Sequence, residues 1–180
     1  MSRVSFNFHV NGITMGDWWQ GVTCDQCNFN GRAGVSCINS NAGTTGINVL
    51  LVITNSQFDC AGTALLLAGP VYDVVFTNNS VFISTNGNSA INVTHSGSNG
   101  IFAVGNTFHL IDGPTGTFCI AYADVNGVIL GNLFNACTVP VNLTASSSNI
   151  GVNLNRYVGV TSGSNINSAG AANQLGVITQ

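Results

Sequence analysis

The chain has 180 residues, 45% hydrophobic and only 5% charged, with a formal net charge of −3; Glu and Lys are absent, leaving six Asp and three Arg as the ionic side chains. Three scattered Arg make no basic patch for nucleic acid, and no apolar run approaches the roughly 18 residues of a membrane-inserted helix. Amphipathic helices lack charged side chains for their wet faces, so 25 Asn, 22 Gly and the Ser and Thr must form the surface, a composition of strands and turns.

The first ten residues, M-S-R-V-S-F-N-F-H-V, alternate like a strand with Phe6, Phe8 and Val10 on one face. They contain no signal-peptide h-region, so export by the ordinary secretory route is not expected. Residues 1–16 read as a capping strand or a partial first coil. In G-D-W-W-Q, adjacent strand residues Trp18 and Trp19 face opposite ways. One caps the core or packs on a subunit while the other is a candidate for stacking on a sugar ring. Cys24-x-x-Cys27 has the spacing of half a zinc site, but no second pair follows. All six cysteines (24, 27, 37, 60, 119, 137) are expected to be free, buried thiols, with no metal or cofactor.

Beyond Cys27 the chain repeats. An aromatic column runs Phe29, Phe58, Phe82, Phe108, Phe134, Tyr157, at intervals of 29, 24, 26, 26 and 23 residues. Just ahead of it lies an amide column, Gln26, Asn55, Asn79, Asn106, Asn132, Asn155, and earlier again a third, Asn48, Asp73, Asn99, Asn126, Asn149. Short β-rich runs such as V-L-L-V-I-T and V-V-F-T-N separate the two polar columns, and A-L-L-L, A-I-N-V or V-N-L-T follow each aromatic after a loop. Three short strands per unit, without recurring Asn-Gly hairpin signals, predict an all-β, single-stranded right-handed parallel β-helix of about six coils over residues 1–157. The leucine-rich phrase L-x-x-L-x-L is missing. Asn tolerates the left-handed backbone of a tight corner, and stacked amides can bond from coil to coil. Asn55, Asn79, Asn106, Asn132 and Asn155 are thus expected as an amide ladder, and Phe58, Phe82, Phe108 and Phe134 as an interior stack.

Over residues 15–157 these two columns resemble right-handed parallel β-helix proteins of the pectate-lyase-like group, including bacteriophage tailspikes. That group contains lyases, hydrolases, isomerases and binding proteins, so the resemblance implies a fold rather than an activity. Its enzymes work on a long sheet face with carboxylates from neighbouring coils. Here the outward positions before the first turn are expected to be Leu66 and Ala68, Asn92 and Thr94, Cys119 and Ala121, Asn142 and Thr144, none of them charged. Asn92, Thr94, Asn142 and Thr144 join Trp18 and Trp19 as glycan-binding candidates.

The acids offer little for acid–base chemistry. Asp73 reads as a turn residue in place of Asn, and Asp17 and Asp25 as turn formers. Asp59 belongs to an outward row Asn30, Asp59, Ile83, His109, Asn135, about 10 Å from His109 on the strand spacing. Asp112 and Asp124 fall in loops. If the chain were a polysaccharide hydrolase or lyase, Asp73 with Asp124 would be the pair to use, then Asp59 and Asp112. The expected function is a noncatalytic structural and receptor-binding segment of a phage tail fibre or tailspike, holding a cell-surface polysaccharide and touching other tail proteins, with a cellular surface adhesin as a further alternative. The tailspike resemblance implies a homotrimer in the virion tail, assembled in a host cytoplasm, residues 158–180 being a tail or a trimerisation segment; the adhesin alternative implies an extracellular surface.

Overall fold

The computed structural model describes residues 3–8, 12–16, 19–31, 36–40, 48–84, 89–95, 97–110, 118–123, 125–160, 166–169 and 173–175. Trp18, Asp112 and Asp124 lie outside them, as does Asp17. The chain climbs coil by coil: β1 (Ser5–Phe8), β2 (Ile13–Met15), β3 (Gln20–Asp25); β4 (Asn28–Gly31), β5 (Ile38–Ser40), β6 (Asn48–Thr54); β7 (Gln57–Cys60), β8 (Leu65–Leu67), β9 (Val71–Thr77); β10 (Ser80–Ile83), β11 (Ile91–Val93), β12 (Asn99–Val104). It continues with β13 (Thr107–Leu110), β14 (Phe118–Tyr122), β15 (Val125–Leu130); β16 (Leu133–Asn135), β17 (Val139–Leu143), β18 (Ser148–Asn153); β19 (Arg156–Val158), β20 (Ile166–Ser168), β21 (Gln174–Leu175). Every strand pairs parallel with its counterparts in the coils below and above. The first, second and third strands of the coils thereby form three seven-stranded sheets.

This is an all-β, right-handed parallel solenoid. It has about five closed turns, with seven strands in each sheet, where six coils were expected. Within residues 158–180, β20 pairs with β17 and β21 with β18.

Alternation along each strand sends every second side chain into the lumen. On the first sheet the inward line is Phe29, Phe58, Val81, Phe108, Phe134, with Tyr157 half-buried at the top. Rings stack along it at 4.6 Å (Phe29 on Phe58), 5.2 Å (Phe108 on Phe134) and 5.6 Å (Phe134 on Tyr157). Phe82 is not in this stack: Val81 pairs with both Phe58 and Phe108, and Phe82 points outward in the row of Asp59 and His109. Phe82, rather than Ile83, fills the expected outward row; Ile83 is buried. Phe76 of β9 packs onto Phe58 at 5.5 Å where the line of first-sheet rings is interrupted. Tyr122 of β14 is also buried, and a Cβ at position 127 would lie 2.7 Å from its hydroxyl, so the lumen requires glycine there.

The corner between the third and first sheets divides two tasks that sequence reasoning gave to one residue. The left-handed position is held by Gln26, Asn55, Asn78, Gly105, Gly131 and Leu154, with φ from 50° to 68°. The next residue carries the ladder: Cys27, Ser56, Asn79, Asn106, Asn132, Asn155. Asn55 is therefore not a rung; it is exposed at the corner, and Ser56 takes its place, accepting from the Cys27 amide through Oγ (3.0 Å) and donating its own amide to Asn79 Oδ1 (2.9 Å). A second left-handed column, Gly21, Leu50, Asp73, Gly100, Asn126, Asn149, bends each strand of the third sheet. Asp73 (φ 58°) shares it with Asn126 and Asn149, so it is a corner residue; Asn48 and Asn99 fall beside the column rather than in it.

Leu154 is the strained member of the first column, with φ 52° and 58% exposure. A left-handed non-glycine residue costs about 1–2 kcal/mol, and its exposed side chain offers little packing in return. Leu154→Gly, matching Gly105 and Gly131, is expected to raise stability by about 1 kcal/mol in urea melts; an unchanged or lowered midpoint would refute the strain.

The cysteines are not free. Cys24 bonds Cys27, Cys37 bonds Cys60 and Cys119 bonds Cys137, leaving no free thiol. Cys37 and Cys119 occupy one column, just before or within second-sheet strands. Cys37 reaches Cys60 at the end of the first-sheet strand of the next coil, and Cys119 reaches Cys137 two residues past the end of its counterpart. Cys119 thus points into the core rather than outward as expected; Ala121 is the outward residue of that strand, in register with Asn92 and Asn142.

Candidate functional site

Each face can be judged by what its outward rows carry. The second sheet presents Thr14, Asn39, Leu66, Asn92, Ala121 and Asn142 in register. Asn92 and Asn142 are half-buried and separated by the short Ala121. Thr94 is exposed, with its amide and hydroxyl both directed at Leu67 O (3.0 and 3.4 Å). Thr144 gives its amide to Tyr122 O, while its buried Oγ1 has no partner among the described residues. Trp19 is half-buried and packs against the core, its backbone amide donating to Asn48 Oδ1 (3.2 Å). The candidates Asn92, Thr94, Asn142 and Thr144 thus share one shallow face, and Trp19 stands off it before β3.

The first sheet is different. Its outward row reads Asn30, Asp59, Phe82, His109, Asn135, Val158, flanked by a row Asn28, Gln57, Ser80, Thr107, Leu133, Arg156. Coils are spaced about 4.8 Å apart, so the half-buried Phe82 ring sits between the exposed Asp59 carboxylate and the His109 imidazole. The two rings are tilted at 47° with centroids 5.7 Å apart. Asn135 Nδ2 lies 2.8 Å from His109 Nδ1. An amide nitrogen only donates, so Nδ1 accepts and the remaining imidazole proton belongs on Nε2, directed away from Asn135. The row therefore joins an aromatic face, an anionic acceptor, an imidazole donor and amides on one nearly flat surface.

The described carboxylates do not converge. Asp59 is on the first sheet beside Asn30 and Phe82, and Asp73 is on the third sheet. Asp25 ends β3, accepting from Thr54 Oγ1 and Asn55 Nδ2 at 2.8 Å each; those two hydrogen bonds hold its carboxyl below the ordinary value. Among the described residues no group of three His, Cys, Asp or Glu is arranged to hold a metal ion.

Sequence reasoning placed Phe82 inside and put Ile83 in its place in this row. The signal was the offset. Phe108, Phe134 and Tyr157 each stand two residues after their ladder residue, and two after Asn79 is Val81. No family model matches the chain, and comparison with curated proteins and with solved structures finds no relative.

Proposed function

We propose that the chain is a noncatalytic β-helical segment of a phage tail appendage of the tailspike type, whose first-sheet face binds a cell-surface polysaccharide. The observation that carries this reading is the row Asp59, Phe82, His109, Asn135. A pyranose presents an apolar C–H face and a rim of hydroxyls, and a ring flanked by amides, a carboxylate and an imidazole meets both needs. Rows repeating along the rod suit a polymer lying parallel to its axis. The tailspike resemblance adds three copies per appendage and contacts with other tail proteins.

The disulfides revise one part of the expectation. Three buried bridges suit an oxidising medium, which supports an external location and weighs against assembly with free thiols in a host cytoplasm. The same observation favours the second reading, a cellular surface adhesin folded in an oxidising compartment.

A glycan array with wild-type protein and Phe82→Ala tests the binding reading. We expect binding to at least one bacterial surface polysaccharide and a loss of tenfold or more in the variant, about 1.4 kcal/mol. Equal binding by Phe82→Ala would remove the first-sheet face from the account. Fragmentation of capsule or lipopolysaccharide that disappears with Asp59→Asn would instead establish the depolymerase alternative.

A further inference from the structure

The outward face of the third sheet differs in kind from the other two. Its central row is Thr23, Val52, Val75, Phe102, Val128, Gly151, and the next row is Asp25, Thr54, Thr77, Val104, Leu130, Asn153. Val52, Val75, Val104, Val128 and Leu130 are half-buried, and Phe102 is 41% exposed at the middle of the row. Among the described residues the charges near these rows are Asp25 in the first coil, tied to Thr54 and Asn55 and close to Arg3, and Asp73 in the bent column at the margin. Apolar side chains normally scatter over a surface; a continuous stripe along a sheet face marks an interaction surface.

We infer that this stripe is where copies of this chain meet, each turning its third sheet toward its neighbours. The inference rests on the proposed reading of the rod as one of several copies in an appendage, and names the face they share. Two features select a second copy over an unrelated partner. The stripe runs parallel to the stacking axis with one side chain per coil, so an identical rod laid alongside with a parallel axis matches its period in every coil. A central surface without charge also meets itself with no like-charge repulsion, whereas the first-sheet face carries Asp59 and Arg156. Six strands about 4.8 Å apart, each of six or seven residues at about 3.3 Å per residue, give a face of roughly 30 by 20 Å. Two such faces bury about 1,200 Å², the lower bound for a specific interface. Phe102, aromatic and central, is the expected anchor.

Sedimentation of the full chain across micromolar concentrations tests this, comparing wild type with Phe102→Asp and Val75→Lys, each checked for wild-type circular dichroism. The expected result is an oligomeric wild type and association weakened at least tenfold in both variants, with Phe82→Ala still oligomeric. Folded variants that keep the wild-type mass would overturn the assignment of this face while leaving the assembly standing. A wild type that is monomeric throughout would overturn both, and would point to a different occupant of the stripe.

Discussion

Asn132→Ala is expected to lower stability by about 3 kcal/mol, a fall in melting temperature of roughly 6–12 °C for a domain of this size. Asn132 Oδ1 accepts from the Asn106 backbone amide (2.9 Å) and from Asn106 Nδ2 (3.0 Å), while its own Nδ2 donates to Ala103 O (2.9 Å) and Asn155 Oδ1 (3.0 Å). Asn106 and Asn79 repeat the pattern one and two coils earlier, respectively. The side chain is fully buried, so no water replaces what is lost. Truncation leaves the Asn106 N–H inside the protein without that acceptor, at about 1–3 kcal/mol, and adds the lost amide bonds and packing. The comparison is Asn55→Gly, at an exposed left-handed corner where glycine adopts φ 50° freely; its cost is expected to stay within about 1 kcal/mol. Urea titrations of the two variants decide the matter, and similar midpoints would sink the ladder as the source of stability.

Removing either long disulfide is expected to cost about 3 kcal/mol, from the chain entropy released when a loop of roughly 20 residues is no longer closed. Cys37–Cys60 and Cys119–Cys137 span 23 and 18 residues and bridge successive coils, whereas Cys24–Cys27 spans 3 and constrains little. Cys37→Ala with Cys60→Ala, and Cys119→Ala with Cys137→Ala, should therefore each destabilise more than the pair Cys24→Ala with Cys27→Ala. Alkylation of unreduced, denatured protein followed by mass spectrometry gives the direct check. No cysteine should be modified before reduction and all six after it; labelling of the unreduced protein would show the thiols to be free.

The solenoid was legible because each coil must turn the same corners, so Asn and aromatic letters return every 23–29 residues. Asn79, Asn106, Asn132 and Asn155 could be picked out by that return. Asn55 could not be separated from Ser56, because which of two adjacent small polar residues turns inward depends on the left-handed residue between the sheets. Phe82 was drawn into the interior by its ring, although its distance from Asn79 is that of an outward position. The outward row of the first sheet was drawn with Ile83 in place of Phe82 for the same one-residue reason, since a shift of one reverses every side chain on a strand.

The sequence by itself determined the architecture, the neutral amide-rich surface and the scarcity of acid–base groups, since composition and period act on every coil alike. Only the tertiary structure decided the disulfides, because each long bridge runs from the second-sheet side of one coil to the first-sheet side of the next, with Cα atoms 6.2 and 5.9 Å apart, and so joins two different columns of the repeat. It alone also sorted the three faces, one apolar, one built around Phe82 and one shallow and polar. That sorting depends on register between coils, and register is fixed by the contacts that stack them.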